Sequence, residues 1–228
     1  MNTNNIRYIL SEIEKVTTAC GRSFSEVELI AVSKTFGVPD IKFAIEAGLI
    51  NFGENKAQEL VVKAKELDSK SISWHFIGHL QSNKVKYVVP VAEFIHSVDS
   101  LKIAIEIEKH SALLLKKQKV LLEIKTAPKE NKFGLTDENE IFGIIKYISN
   151  SPSLDFQGLM TIAPFVDDES EIRKSFVRLR SLKEEIQNLG YFCKHLSMGM
   201  TSDFHIAIEE GATMVRIGSA IFGDRIYN

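Results

Sequence analysis

The chain has 228 residues, 44% of them hydrophobic and 25% charged, with a formal net charge of −2. That length suits one large α/β domain, and the charge balance gives no electrostatic case for a nucleic-acid partner. No apolar run approaches the ~20 residues that span a bilayer, and Met1–Leu10 has no basic segment followed by an apolar one, so a cytoplasmic location and no membrane partner are expected.

A helix is predicted from about Asn4 to Cys20. Beyond it, short apolar runs alternate with stretches of helical periodicity. The runs predicted as strands are Leu29–Ser33, Leu49–Phe52, Trp74–Ile77, Phe94–His96, Val120–Ile124, Phe156–Met160, His195–Ser197 and Met214–Ile217. The helical stretches are Pro39–Ala47, Lys56–Asp68, Leu101–Lys117, Glu138–Ser149 and Glu169–Gly190, with another continuing through Phe204 to Glu210. Ile103, Ile107 and Leu114 share one face, as do Phe176, Leu179 and Leu182. Pro39 suits a first helical turn, Asp137 an N-cap and Gly190 a C-cap.

Apolar strands separated by helices need a parallel sheet with a covered outer face. About eight such units, with no Pro/Gly-rich linker between them, predict a single α/β domain over residues 1–228. Its expected form is a (β/α)₈ TIM barrel with an extra N-terminal helix. The alternative is an open doubly wound sheet. Against it, the first strand runs through Ser33-Lys34-Thr35 into Phe36-Gly37 and not into a G-x-G-x-x-G turn.

Function in a barrel gathers at the C-terminal ends of the strands. Lys34 stands at the first of these. Partial desolvation and neighbouring cations there favour the neutral amine that attacks an aldehyde. By position alone, a strand-end lysine snorkelling to water is the commoner case. Ser197, Gly199, Thr201 and Ser202 surround the start of a helix, and Gly218 and Ser219 follow the last strand. Hydroxyls and glycines after strands seven and eight make a phosphate cradle in this fold, although glycines also serve tight turns. His75 and His79 fall on a strand and its loop, so they make no helical metal pair, and no metal site is predicted. His75 is expected to be satisfied inside the barrel and His79 to line the mouth, with Asp99 supporting the site or capping a helix. Cys20 and Cys193 lie far apart without CxxC spacing and read as reduced thiols.

Several segments carry a resemblance to a known family. They are Ala31-Val32-Ser33-Lys34, Asn51-Phe52-Gly53-Glu54-Asn55 and Trp74-His75-Phe76-Ile77-Gly78-His79-Leu80-Gln81-Ser82-Asn83-Lys84, then Gly158-Leu159-Met160-Thr161-Ile162-Ala163, Leu196-Ser197-Met198-Gly199-Met200 and Val215-Arg216-Ile217-Gly218-Ser219-Ala220-Ile221-Phe222-Gly223. From Leu29 almost to the C-terminus the chain resembles the pyridoxal phosphate homeostasis protein family, whose barrel is similar to the N-terminal domain of bacterial alanine racemase. The resemblance implies pyridoxal 5′-phosphate as cofactor, held as a Schiff base on Lys34. It implies that Ser197, Thr201, Gly218 and Ser219 hold the phosphate, that Arg216 faces the pyridine nitrogen and that Asn55 lies near the ring or its 3-hydroxyl. The family commonly has serine where this chain has Thr201, and the hydroxyl is kept. Lys132 resembles a second functional lysine of the family.

Three functions compete. One is reversible binding and transfer of pyridoxal phosphate, with apo PLP enzymes as recipients and indirect effects on amino-acid and keto-acid balance. Another is a PLP-dependent amino-acid racemase or related α-carbon enzyme. The third is a barrel enzyme for a phosphorylated metabolite, with Lys34 bonding to substrate. Racemisation needs acid–base groups on both faces of a carbanion. Lys34 can serve one, but none of Tyr8, Tyr87, Tyr147, Tyr191 or Tyr227 falls at a predicted strand end. In alanine racemase the second group comes from a separate C-terminal domain, and this chain ends at Asn228. The expectation is therefore a monomer that handles the cofactor without efficient catalysis. Whether Lys132 or Lys84 offers a secondary aldehyde site stays open.

Overall fold

A computed structural model describes residues 3–67, 71–127 and 133–223. Helix α1 (Thr3–Ala19) opens the chain, and its Ile6, Ile9 and Ile13 form one buried stripe. Just past this helix, Arg22 ties the chain to the barrel by donating to the carbonyls of Ile208 at 2.8 Å and Ala212 at 2.9 Å.

Eight parallel strands then pair in sequence order: β1 (Glu28–Val32), β2 (Asn51–Glu54), β3 (Ser73–Phe76), β4 (Phe94–Val98), β5 (Gln118–Glu123), β6 (Leu154–Met160), β7 (His195–Ser197) and β8 (Met214–Ile217). β8 returns to β1 in register from Glu28↔Met214 to Ala31↔Ile217 and closes the barrel. The connections carry α2 (Val38–Glu46), α3 (Ala57–Leu67), α4 (Val85–Val88), α5 (Leu101–Leu113), α6 (Glu138–Ser149), α7 (Glu169–Asn188) and α8 (Phe204–Glu209), and α9 (Ser219–Phe222) follows β8. The expected (β/α)₈ barrel with its N-terminal helix is the fold observed.

The period-two alternation of each strand divides the apolar residues between two cores. Leu29, Ala31 and Phe52 face outward into the layer between sheet and helices. Ile30, Phe94, Leu121, Met160 and Met214 point inward and fill the barrel.

Two expectations about helices need correction. The helix beginning at Leu101 ends at Leu113, not Lys117, because Leu115 adopts a left-handed φ of 52°. Leu114 is accordingly 49% exposed and not on the buried face with Ile103 and Ile107. Between β3 and β4, where no helix is predicted, Ser82–Lys84 forms a 3₁₀ turn leading into one-turn α4. Val85, Val88, Val89 and Ala92 bury that segment over too short a run to show a period. The caps behave as predicted: Asp137 accepts from the Glu140 N–H, and Gly190 follows α7 with φ 86°.

Candidate functional site

The alternation that sends Ile30 inward puts Val32 and then Lys34 on the same face, so Lys34 arrives at the open C-terminal end of the barrel. The Ser33 N–H still pairs with the Gly53 carbonyl at 3.0 Å, and the chain turns at once afterwards, with Thr35 at φ 71° and Phe36 N–H on the Ser33 carbonyl at 3.0 Å. Lys34 is half-buried at this turn.

Across the barrel, Arg216 follows Met214 on the inward face of β8. Its Nη1 donates to the Ser197 carbonyl at 2.7 Å and the Ser197 hydroxyl at 2.6 Å, and its Nη2 donates to the Thr161 carbonyl at 2.8 Å. A guanidinium has five N–H donors, so two are left without a partner among the described residues. Burial lowers Arg216 to about 10, opposed by the carboxylates of Asp203 and Glu123. It remains a cation at neutral pH.

Behind Arg216 runs a buried polar chain. The Ser197 hydroxyl meets His96 Nδ1 at 2.9 Å, and His96 Nε2 meets His75 Nδ1 at 3.0 Å. His75 Nε2 then reaches the Ser73 hydroxyl at 3.2 Å. Burial pushes His75 down to about 3 and His96 well below its usual value, so both rings are neutral. Each neutral ring has one donor and one acceptor nitrogen. His75 is thus satisfied inside the barrel, as expected from its strand position.

The loops after β7 and β8 meet at the same end, where the Ser219 hydroxyl donates to Thr201 Oγ1 at 3.3 Å. Gly199 has φ 92°, and a Cβ there would lie 2.6 Å from the Ala207 Cβ. Only glycine lets the loop close over α8. The Gly199 carbonyl accepts from the Arg216 N–H at 2.9 Å, joining this loop to β8. A Cβ on Gly218 would meet the Val32 carbonyl oxygen at 3.2 Å, so this turn lies against the end of β1, two residues before Lys34.

Asn55 follows β2. Its Oδ1 is buried with no hydrogen-bond partner among the described residues. A Cβ on Gly78 would fall 2.2 Å from the Asn55 carbonyl oxygen, so the backbones after β2 and β3 touch. A buried acceptor without a donor is costly, and a ligand hydroxyl would satisfy it.

The structure therefore brings Lys34, Asn55, Arg216, Gly199, Thr201, Gly218 and Ser219 to one barrel end. Ser197 stands apart from the Thr201–Ser219 pair, since its fully buried hydroxyl is shared between Arg216 and His96. Its geometry is that of an anchor for Arg216. Lys132 lies outside the described residues. Lys84 sits in the 3₁₀ turn before α4. His79 pairs with Asp99 at 3.1 Å and stacks on Phe133 with ring centroids 3.6 Å apart, and Ser100, not Asp99, caps α5. Cys193 is buried, and burial pushes its thiol up to about 12, while Cys20 is exposed.

One further residue of the mouth carries no sequence motif. Glu123 ends β5 on the inward face shared with Leu121, and burial together with the Asp99 carboxylate raises it to about 7, opposed by Arg216. The alternation that singles out Lys34 from Ile30 would have found it.

A closed parallel barrel with a lysine after its first strand and a hydroxyl-lined cradle after its last two defines a class. The sequence profile of that class, the alanine racemase N-terminal domain, matches residues 7–226. The pyridoxal phosphate homeostasis protein of Aquifex aeolicus is 39% identical over 220 residues, covering 96% of each chain. That of Vibrio alginolyticus is 40% identical over 228 residues, covering 98% of this chain and 97% of the relative. The chain belongs to the pyridoxal phosphate homeostasis protein family. Among solved structures, PipY of Synechococcus elongatus with PLP bound superposes with a TM-score of 0.82 at 34% identity, over 92% of this chain and 99% of that one. Alanine racemase from Bacillus anthracis shares the fold at a TM-score of 0.74 and 18% identity, over 97% of this chain and 56% of that one.

Proposed function

We propose that this protein binds pyridoxal 5′-phosphate reversibly as a Schiff base on Lys34 and passes it to apo PLP enzymes, acting in intracellular homeostasis of the cofactor as a single-domain cytoplasmic monomer. The observation that carries this reading is the convergence at one barrel end of three unlike groups: the Lys34 amine, the two spare donors of Arg216 and the Thr201–Ser219 hydroxyl pair. They match an aldehyde, a pyridine nitrogen and a phosphate. The unpartnered Asn55 Oδ1 matches the 3-hydroxyl as its donor. PipY, solved with PLP bound, supports the same assignment.

When bound, the cofactor supplies an aldehyde that condenses with an amine with loss of water. The protein's own contributions are separable. Thr201, Ser219 and the Gly199 and Gly218 turns hold the phosphate. Arg216 keeps a cation where the pyridine nitrogen would lie, which disfavours protonation there and weakens the ring as an electron sink. That property suits storage and hand-over better than carbanion chemistry.

Glu123 favours a second reading, because a buried carboxyl raised to about 7 is a general acid–base at neutral pH. A PLP-dependent racemase or related α-carbon enzyme would use such a group. The deciding experiment takes wild type and Lys34→Ala, incubates each with pyridoxal phosphate and desalts them. A band near ~420 nm in the wild type alone places the cofactor on Lys34. No band in the wild type sinks the reading. Steady interconversion of an amino acid at ordinary enzyme rates, lost in Glu123→Gln, would replace carrier by racemase.

A further inference from the structure

Behind β1, on the face opposite the cofactor site, Lys63 of α3 and Glu54 of β2 form an ion pair at 2.7 Å with side chains 8% and 0% exposed. Both lie in the layer between sheet and helices. A buried pair of this kind contributes little net stability and is often replaceable by apolar side chains without loss. Its contacts suggest another use. Lys63 Nζ also donates to the Ser33 carbonyl at 2.8 Å, and the Ser33 hydroxyl donates to Glu54 Oε1 at 2.6 Å. Ser33 is therefore held by both its backbone and its side chain. One residue past Lys34, the Thr35 N–H donates to Glu59 Oε2 at 3.1 Å, and Lys63 reaches the same oxygen at 3.3 Å. Thr35 is held at φ 71°, a left-handed conformation that a β-branched residue adopts only when its surroundings impose it.

We infer that the Glu54–Lys63–Glu59 cluster is a positioning device for Lys34, clamping the residues on both sides of it so that its amine is presented at a fixed place in the barrel mouth. The clamp acts from outside the barrel and touches no ligand. A lysine side chain carries its amine on four flexible carbons, and the amine meets a carbonyl held in the site productively only when its base is fixed. The strained turn at Thr35 supplies the sharp exit that leaves Lys34 at the rim, and Glu59 holds that turn. This inference rests on Lys34 being the aldehyde-bearing lysine, but its test does not require the cofactor.

The test is reductive methylation of the cofactor-free protein with formaldehyde and cyanoborohydride, with each lysine's rate read by peptide mass spectrometry. The remaining lysines of the same sample are the internal standard. Removing the pair together, as Glu54→Met with Lys63→Met, avoids leaving one charge buried alone, and the thermal midpoint should fall only by what the Ser33 hydroxyl loses with its buried acceptor. The same variant should change the Lys34 methylation rate several-fold relative to the other lysines, because that rate follows the exposure and solvation of the amine, which the clamp sets. Glu59→Ala, at a partly exposed site, should shift the Lys34 rate comparably. Glu59→Gln, which keeps an acceptor for the Thr35 N–H, should retain the rate. The on-rate of pyridoxal phosphate, followed by absorbance, should fall in the same two variants. If Lys34 is methylated at the wild-type rate in both the double variant and Glu59→Ala, the cluster is structural and the inference fails. Should the double variant not fold, the Glu59→Ala and Glu59→Gln comparison decides alone. Should the wild type bind no pyridoxal phosphate, the carrier reading fails while the methylation rates still answer the question about the clamp.

Discussion

Arg216 Nη1 donates to the Ser197 hydroxyl at 2.6 Å, and this one bond sets the direction of every proton behind it. A guanidinium only donates, so the Ser197 hydroxyl must accept from it and pass its own proton to His96 Nδ1. His96 then carries its proton on Nε2 and donates to His75 Nδ1, which leaves the His75 proton on Nε2 facing Ser73. Strands β8, β7, β4 and β3 are joined inside the barrel, with each neutral ring of the chain in one tautomer.

Ser197→Ala breaks that chain at its centre, leaving His96 Nδ1 buried without its donor. A buried group stripped of its partner costs about 1–3 kcal/mol, so the urea midpoint should fall by that equivalent. The variant should still bind pyridoxal phosphate, with an altered absorbance maximum as Arg216 loses one of its anchors. An unchanged spectrum would mean that Arg216 does not face the ring.

Acid should destabilise the fold early. His75 is lowered by burial to about 3 and His195 to about 4, and His96 is lowered well below its usual value by the same cause. Unfolding lets each recover its ordinary value of about 6.5. Below that pH the unfolded chain binds protons that the folded one refuses, so stability present above pH 6.5 is lost as pH falls toward 4. The slope is about 1.4 kcal/mol per pH unit for each histidine while it applies. Thermal midpoints measured across that range check it.

Glu123 works against this trend. Its folded value is raised to about 7, so between its ordinary value and pH 7 the folded protein holds a proton that the unfolded chain releases. Stability from this group falls as pH rises toward 7 and stays lost above it, with an upper bound of about 3 kcal/mol. Glu123→Gln removes the penalty, and its midpoint should exceed that of the wild type at pH 8 and approach it at pH 5. A parallel offset at both pH values would show that Glu123 titrates normally.

Gly199→Ala tests the cradle. Its Cβ would collide with Ala207 at 2.6 Å on a backbone at φ 92°, so the β7–α8 loop must move. The strain alone is about 1–2 kcal/mol. Because the Gly199 carbonyl also accepts from the Arg216 N–H, phosphate and ring contacts should weaken together. The dissociation constant for pyridoxal phosphate should rise about tenfold or more, since each 1.4 kcal/mol is a factor of ten. Inorganic phosphate should protect the wild type against thermal unfolding more than it protects the variant.

The order of residues along the chain is enough to specify the barrel, its strand order and the barrel end that carries the candidate site. Apolar runs such as Leu29–Ser33 and Met214–Ile217 repeat with helices between them, and a parallel sheet of that kind places Lys34, Asn55, Thr201, Arg216 and Ser219 at strand ends whatever the loops do. Residues that act through partners distant in sequence were not legible in the same way. Only barrel closure brings Ser197 to His96 across 101 positions and places its hydroxyl between His96 and Arg216. Only the packing of α3 behind β1 shows that Lys63, an ordinary charged residue in an amphipathic stretch, is buried against Glu54 and Ser33. Periodicity reports which face of an element is buried, because burial follows local spacing. It cannot report which polar group lies opposite, because that depends on how the sheet twists and closes.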